Sequence, residues 1–150
     1  MPAFIAIGRV LFAVLFLFSG AQKLLNLAET AEMISTKIAV PDALTVYTSQ
    51  LEGVTGMPLA QLLAITAAVV ELVCGLAIAL NFGARFFAIV LIFFVIVATF
   101  YGHDFWNQTG PEQKNNMIHA LKNLSLIGAL FIIAGIGRGP RANGPTYTDV

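Results

Sequence analysis

The side chains of this chain that are best suited to chemistry are the few polar ones inside long apolar segments. A polar group in hydrocarbon costs free energy, so each one that is present marks a candidate functional site. Glu71 is the extreme case, because it stands near the middle of the apolar segment 59–80 and so near the middle of any membrane that this segment crosses. A carboxyl group at this depth must be protonated or paired. Arg9 is the predicted partner of Glu71 in an intramembrane ion pair, with Arg85 as the alternative.

The Glu71 carboxyl has two interpretations. In the structural one, a buried ion pair fixes the register of two packed helices. In the functional one, the carboxyl handles protons beside a redox or transport site. The residue pattern is compatible with both, so the sequence leaves the choice open.

A second set of polar side chains recurs at helical spacing nearer the ends of the apolar segments. On the first segment the stripe consists of Ser19, Gln22, Lys23 and Asn26. On the last segment it consists of Asn115, His119, Lys122 and Asn123. The third segment is followed by His103, Asp104 and Trp106. Antiparallel crossings with short connections would bring all three sets into one layer near the outer leaflet.

These sets predict a ligand pocket toward which Lys23, His119 and Lys122 converge. The predicted ligand-binding residues are Gln22, Lys23, His103, Asp104, Trp106, His119, Lys122 and Asn123. Two lysines would not share a dry cavity without a counter-charge, so Asp104, a bound anion or a quinone oxygen must be close. The structural alternative is that lysines extend to the interface and asparagines only bond neighbouring helices. A metal site needs three or four ligands, and none is predicted here.

The elements that must position these residues are four apolar segments, 3–25, 59–80, 85–101 and 118–136. Each is close to the ~20 residues that a helix needs to cross ~30 Å of hydrocarbon. A chain that is 58% hydrophobic and 11% charged would expose too much apolar surface as a soluble monomer. Zero formal net charge argues against a nucleic-acid partner. The sequence therefore predicts an all-α, four-helix transmembrane bundle over residues 1–136 and a flexible cytoplasmic tail over residues 137–150.

The connection between the first two apolar segments, residues 26–58, is the longest in the chain. Apolar residues recur in it at helical spacing on both sides of Pro41, where a helix should break or start. The segment is therefore predicted to form two short amphipathic helices that lie at the membrane surface. They would cap the outer mouth of the bundle or dock a partner.

The basic residues separate by type between the two predicted membrane faces. One face receives Arg9, Arg85, Arg138 and Arg141, and the other receives Lys23, Lys37, Lys114 and Lys122. A count of basic residues is therefore a tie. The acidic residues gather on the lysine face, which favours an inner-membrane protein with both termini in the cytoplasm. The N-terminal segment imitates a secretory signal peptide, but a retained first helix is the expectation.

Several motifs of the chain resemble DoxX-type membrane proteins. They are residues 8–11, residues 16–24, residues 71–76, Arg85, residues 103–106 and residues 119–128. The resemblance covers nearly the whole chain and implies a four-helix membrane bundle. The family name comes from a subunit of an archaeal terminal quinol oxidase complex, and a related branch forms part of a thiosulfate:quinone oxidoreductase. Other members are associated with oxidative-stress complexes.

The function that this resemblance implies is a membrane subunit of a quinone-linked redox system. Lys23, His119 and Lys122 would donate hydrogen bonds to quinone carbonyls or attract an anionic sulfur substrate. No haem, flavin or iron–sulfur motif is present, so electrons would need a partner redox subunit or a direct reaction between substrate and quinone. The alternatives are a non-catalytic anchor or assembly subunit, within a larger complex or a homo-oligomer, and a small-molecule carrier that uses Glu71. Whether the chain has activity of its own is open.

Overall fold

The computed structural model describes residues 2–136, and its secondary structure is entirely helical over this range. The helices are α1 (Pro2–Leu25), α2 (Leu27–Lys37), α3 (Thr45–Thr55), α4 (Leu59–Ala79), α5 (Ala84–Gly102) and α6 (Gly110–Ile136). Two short 3-10 turns, Asp42–Leu44 and Phe105–Asn107, precede α3 and follow α5. The all-α prediction is confirmed. The tail predicted for residues 137–150 lies outside the described residues.

Four of these helices, α1, α4, α5 and α6, are long and apolar enough to cross a membrane, which confirms the predicted number of spans. The main difference concerns α6, which begins at Gly110 and not at residue 118. Gly110 adopts the left-handed conformation, with φ 68°, and Pro111 follows it, where a fixed φ favours the first turn of a helix. The apolar segment therefore shows where the helix enters hydrocarbon, whereas local backbone chemistry starts it two turns earlier.

The long first connection contains the two predicted helices, α2 and α3. Helix α2 packs against α4, and Thr30 is the buried residue on its inner side. Helix α3 ends at the corner before α4, where a carboxylate oxygen of Glu52 accepts a hydrogen bond of 2.6 Å from the backbone N–H of Leu59. The negative charge of this carboxylate also interacts favourably with the positive, N-terminal end of the α4 dipole. The location of both helices at the membrane surface stays a prediction.

The spanning helices pack as two antiparallel pairs, α1 with α4 and α5 with α6. Contacts between α4 and α5 connect the two pairs. The turn between α4 and α5 is tight because Asn81 and Gly83 both adopt positive φ, at 57° and 53°. One apolar core unites the four helices, and its buried members include Phe16, Ile78, Leu91 and Leu130. Helix α6 packs on α5 and barely contacts α1, so the bundle is open along that side.

Two glycines allow the close approach of α1 and α4. A Cβ atom at Gly20 would lie 2.8 Å from the carbonyl oxygen of Ala68 and 2.8 Å from Cγ of Leu72. A Cβ atom at Gly75 would lie 3.3 Å from Cβ of Phe16. Small residues at such crossings let helix backbones pack closely in lipid, where van der Waals contact drives association. The two glycines therefore let α1 and α4 pack closely against each other.

Replacing Gly20 with alanine should push α1 away from α4, because the backbone carbonyl of Ala68 cannot move aside as a flexible side chain can. We expect a loss of about 1–3 kcal/mol in the free energy of unfolding, as for other overpacked sites. The measurement is denaturation of the purified protein in mixed detergent micelles.

The matched control is Gly128→Ala on α6, where an added Cβ would meet nothing within 4 Å. This variant should be neutral or stabilised by up to about 1 kcal/mol, since alanine favours helix more than glycine does. Equal effects of the two substitutions would show that the close α1–α4 crossing is wrong.

Candidate functional site

The Glu71 carboxylate lies in a compact polar cluster between α1 and α4, which we call the α1–α4 triad: Ser19, Lys23 and Glu71. The ammonium group of Lys23 lies 2.7 Å from Oε2 of Glu71 and donates to the hydroxyl oxygen of Ser19 at 2.6 Å. The Ser19 hydroxyl donates in turn to Oε1 of Glu71 at 3.1 Å. Both carboxylate oxygens are thus hydrogen-bonded although Glu71 is only 5% exposed.

The sequence builds this triad through helix geometry. Ser19 and Lys23 are four residues apart and therefore lie on one face of α1. Gly20 lies between them and admits the α4 backbone, so that Cβ of Glu71 comes within 3.2 Å of where a Gly20 Cβ would be. The flexible stem of Lys23 then brings its charge to the carboxylate, while 25% of its side chain stays exposed.

The predicted ion pair between Arg9 and Glu71 is wrong. Arg9 donates from Nη1 to Oδ1 of Asn81 at 2.7 Å, in the turn between α4 and α5. The cause is the antiparallel register: Gly20 lies beside Glu71, and Arg9 is roughly 16 Å further along the α1 axis. Arg85 is not the partner either, since it lies exposed at the start of α5, at the far end of α4.

A second polar cluster, which we call the histidine cluster, joins the end of α5 to the start of α6. The rings of His103 and His119 are stacked, with their centroids 5.0 Å apart and an angle of 11° between their planes. Nδ1 of His103 lies 3.0 Å from Oδ1 of Asn116, and Nδ2 of Asn116 donates to Oε1 of Gln108 at 2.6 Å. The His119 ring on its face and the Asn116 amide at Nδ1 together orient the His103 imidazole.

The histidine cluster continues to α2 through Asp104. Nε2 of Gln108 donates to Oδ1 of Asp104 at 3.1 Å, and the same oxygen lies 3.3 Å from Nζ of Lys37. Lys37 and Asp104 are both partly exposed, so solvent screens this ion pair and its contribution to stability is small. Its effect is to connect the end of α2 to the α5–α6 connection.

The structure does not gather the predicted pocket residues into one cavity. Lys23 belongs to the α1–α4 triad, His119 stacks on His103, and Lys122 is exposed. The reason is that α6 packs along α5 and not along α1, so the two polar stripes face different partners. Gln22 is exposed and accepts a hydrogen bond of 3.0 Å from Asn26, which follows the end of α1. Whether any of these residues binds a ligand stays a prediction.

The predicted residue Trp106 lines a cavity of about 380 Å³ between α5 and α6, which we call the α5–α6 cavity, and Asn123 bonds to the lining residue Thr99. Its lining includes Thr99, Phe100, Phe105, Trp106, Met117 and Ala120. Trp106 packs against Phe100 and Phe105, with ring centroids 5.4 Å and 5.1 Å away. Asn123 donates to the hydroxyl of Thr99 at 2.9 Å, which places a polar side-chain pair at the wall of the cavity.

Four residues of these clusters were missed as site residues: Thr99, Gln108, Asn116 and Lys37. Helical spacing gives a signal for one of them, because Asn116 precedes His119 by three residues and shares its face. Lys37 gives no such signal, since its contact with Asp104 depends on how α2 packs in space.

Comparison with known proteins gives this chain a family and a relative. The DoxX family profile matches residues 4–104. The chain belongs to the DoxX family. The Escherichia coli (strain K12) inner membrane protein YphA is 28% identical over 138 residues, which cover 92% of this chain and 86% of that protein. No solved structure matches. With four helices able to span, this DoxX protein is an integral membrane protein, and the resemblance found in its sequence motifs is confirmed.

Replacing Glu71 with glutamine in this DoxX protein should leave the Lys23 charge without its counter-ion. Breaking a buried pair by removing one partner costs roughly 3–5 kcal/mol. Because Lys23 keeps 25% of its side-chain exposure and can partly reach water, we expect a loss near the lower end, about 3 kcal/mol. Denaturation in mixed micelles measures this loss.

The control is Glu32→Gln on α2, an exposed glutamate whose replacement should change stability by no more than about 0.5 kcal/mol. A double variant, Lys23→Met with Glu71→Gln, should be more stable than the sum of the two single losses predicts, because the removed groups are coupled. Strictly additive losses would contradict a direct ion pair.

Proposed function

We propose that this DoxX protein is the membrane subunit of a quinone-linked redox system in an inner membrane. The quinone head group would occupy the α5–α6 cavity, at the end of the bundle that carries the histidine cluster. Electrons would reach the quinone from a partner redox subunit, or from a substrate that reacts with it directly. The support comes from the size, lining and polar edge of the cavity, together with the family resemblance to quinone-linked proteins.

The single observation that carries the proposal is the aromatic lining of the α5–α6 cavity. Its volume of about 380 Å³ is within the range of small-molecule sites, which begins at roughly 300 Å³. Phe100, Phe105 and Trp106 are packed together and offer ring faces and edges to a flat quinone ring. Met117 supplies a flexible, polarizable contact. The cavity is open on one side, so an isoprenoid tail would leave it toward lipid.

Two lining residues of this cavity, Thr99 and Trp106, carry a side-chain hydrogen-bond donor. The Thr99 hydroxyl is already engaged, since it donates to the carbonyl of Val95 at 2.6 Å and accepts from Asn123. The donor that we assign is the indole N–H of Trp106, whose ring is part of the cavity lining. His119 stacks on His103 and is not among the described lining residues.

The second candidate is a non-catalytic anchor or assembly subunit. It is favoured by one observation: the polar side chains of the α1–α4 triad and of the histidine cluster satisfy one another. The carrier alternative has less support, because Glu71 is buried and ion-paired and lines none of the cavities described. An anionic sulfur substrate is also less favoured, since Glu71 neutralises Lys23.

Trp106 is the single tryptophan of the chain and lines the α5–α6 cavity, so its fluorescence is sensitive to a ligand that binds there. A short-chain quinone analogue, titrated into the detergent-purified protein, should quench this emission in a saturable way. Replacing Ala120 with phenylalanine should fill the cavity and weaken the apparent affinity by at least about tenfold, the effect of losing roughly 1.4 kcal/mol of binding.

The matched control is Ala129→Phe, which adds the same side chain to α6 outside this cavity, at the groove between α1 and α6. Its quenching curve should follow that of the original protein. Quenching that never saturates, or that is identical in the two variants, would show that the quinone only partitions into the micelle. The anchor function would then replace the redox one.

A further inference from the structure

An apolar groove lies on the open side of the bundle, at the end where α4 turns into α5. Its volume is about 230 Å³, and its walls include Ile5, Gly8 and Phe12 of α1 and Ala129, Ile132 and Ile136 of α6. This is the opposite end of the bundle from the α5–α6 cavity, because α1 begins and α6 ends here. The proposed function does not use this groove.

Among the described residues that line this groove, Arg9 is the one that carries a charge. Its guanidinium donates to a neutral acceptor, the amide oxygen of Asn81, at 2.7 Å. Its Nε is buried and has no hydrogen-bond partner among residues 2–136, although an unpaired buried donor is costly. Glu71 is committed to Lys23. Within the described part of the chain, Arg9 therefore has an unmatched charge and an unmatched donor.

The chemistry of the missing partner follows from these two needs. A guanidinium presents its N–H groups in a planar fork that matches the oxygens of a phosphate or carboxylate. Arg9 lies at the level of the α4–α5 turn, about 10 Å along α1 from its first residue. An anion here must tolerate hydrocarbon beside it, because the rest of the groove lining is apolar. A phospholipid supplies an anionic phosphate and an acyl chain in one molecule.

We propose that one anionic phospholipid binds in the groove between α1 and α6, with its phosphate on the guanidinium of Arg9. The phosphate compensates the charge of the guanidinium, while Nη1 stays on Asn81. The acyl chain lies along Phe12, Ala129 and Ile132 and closes the side of the bundle where α1 and α6 do not pack. An anionic headgroup is preferred to a zwitterionic one because no acidic side chain in the described lining offsets the Arg9 charge.

Native mass spectrometry of the full chain, released from micelles doped with equal phosphatidylglycerol and phosphatidylcholine, tests this site. The original protein should retain one lipid, with a preference for phosphatidylglycerol of about tenfold, the size of one hydrogen bond to a charged group. Arg9→Gln should lose the preference, and Arg9→Lys, which keeps the charge but not the planar fork, should restore only part of it. The matched control is Arg85→Gln, an exposed cation at the same end outside the groove lining, which should keep it.

A second variant tests the acyl-chain part without touching the charge. A Cβ at Gly8 meets nothing within 4 Å, so Gly8→Leu can place its side chain in the groove without a backbone clash. It should lower lipid retention while the protein stays folded. Equal retention of both lipids, or an unchanged preference in Arg9→Gln, would overturn the proposal. So would displacement of phosphatidylglycerol by inorganic phosphate, or a dimer that takes the place of the lipid adduct.

Discussion

The ion pair between Lys23 and Glu71 is the interaction on which the arrangement of this bundle depends. A carboxylate that is 5% exposed inside a membrane-spanning helix is tolerable only if a cation reaches it with good geometry. Lys23 reaches it because Gly20, on the same face of α1, removes the side chain that would keep α4 away. The register of α1 against α4 and the compensation of the Glu71 charge therefore depend on each other. A slip of either helix would separate Lys23 from Glu71 and would place a larger side chain than Gly20 against α4.

The remaining features follow from this packed pair. With α1 fixed on α4, the tight turn at Asn81 and Gly83 places α5 beside α4, and α6 covers α5. The two ends of the bundle then differ in character. At the end with the α1–α4 triad and the histidine cluster, polar side chains bond to one another. At the other end, Arg9 faces an apolar groove, and its partner among residues 2–136 is a neutral amide.

The sequence predicted the architecture well because the cost of polar groups in hydrocarbon leaves a strong signal. Four apolar segments of suitable length gave the four spanning helices, and the motifs around residues 16–24 and 71–76 gave the family. The start of α6 was missed because it depends on the backbone conformation at Gly110, which hydropathy does not report. Membrane sidedness, with both termini in the cytoplasm, is still a prediction from charge alone.

The partners of the polar residues were harder to predict, since depth in a membrane constrains them less than packing does. Arg9 was assigned to Glu71 from depth alone. The antiparallel register that Gly20 and Gly75 set puts Lys23 at that level. The prediction that Lys23, His119 and Lys122 converge on one cavity was wrong for a similar reason. Helical spacing shows which residues share a face of a helix, but not which neighbouring helix that face contacts. His119 faces α5. The α5–α6 cavity depends on how these two helices pack, so it could be found only in the three-dimensional structure.

The measurement that tests the central claim most directly is an infrared difference spectrum between the original protein and Glu71→Gln in lipid. In this arrangement Glu71 is an ionised carboxylate held by Lys23 and Ser19. The difference spectrum should therefore show the loss of a carboxylate stretching band that keeps its position in deuterated buffer, because a carboxylate carries no proton to exchange. Loss of a protonated carboxylic acid band instead would contradict the ion pair, and with it the constraint that fixes α1 against α4.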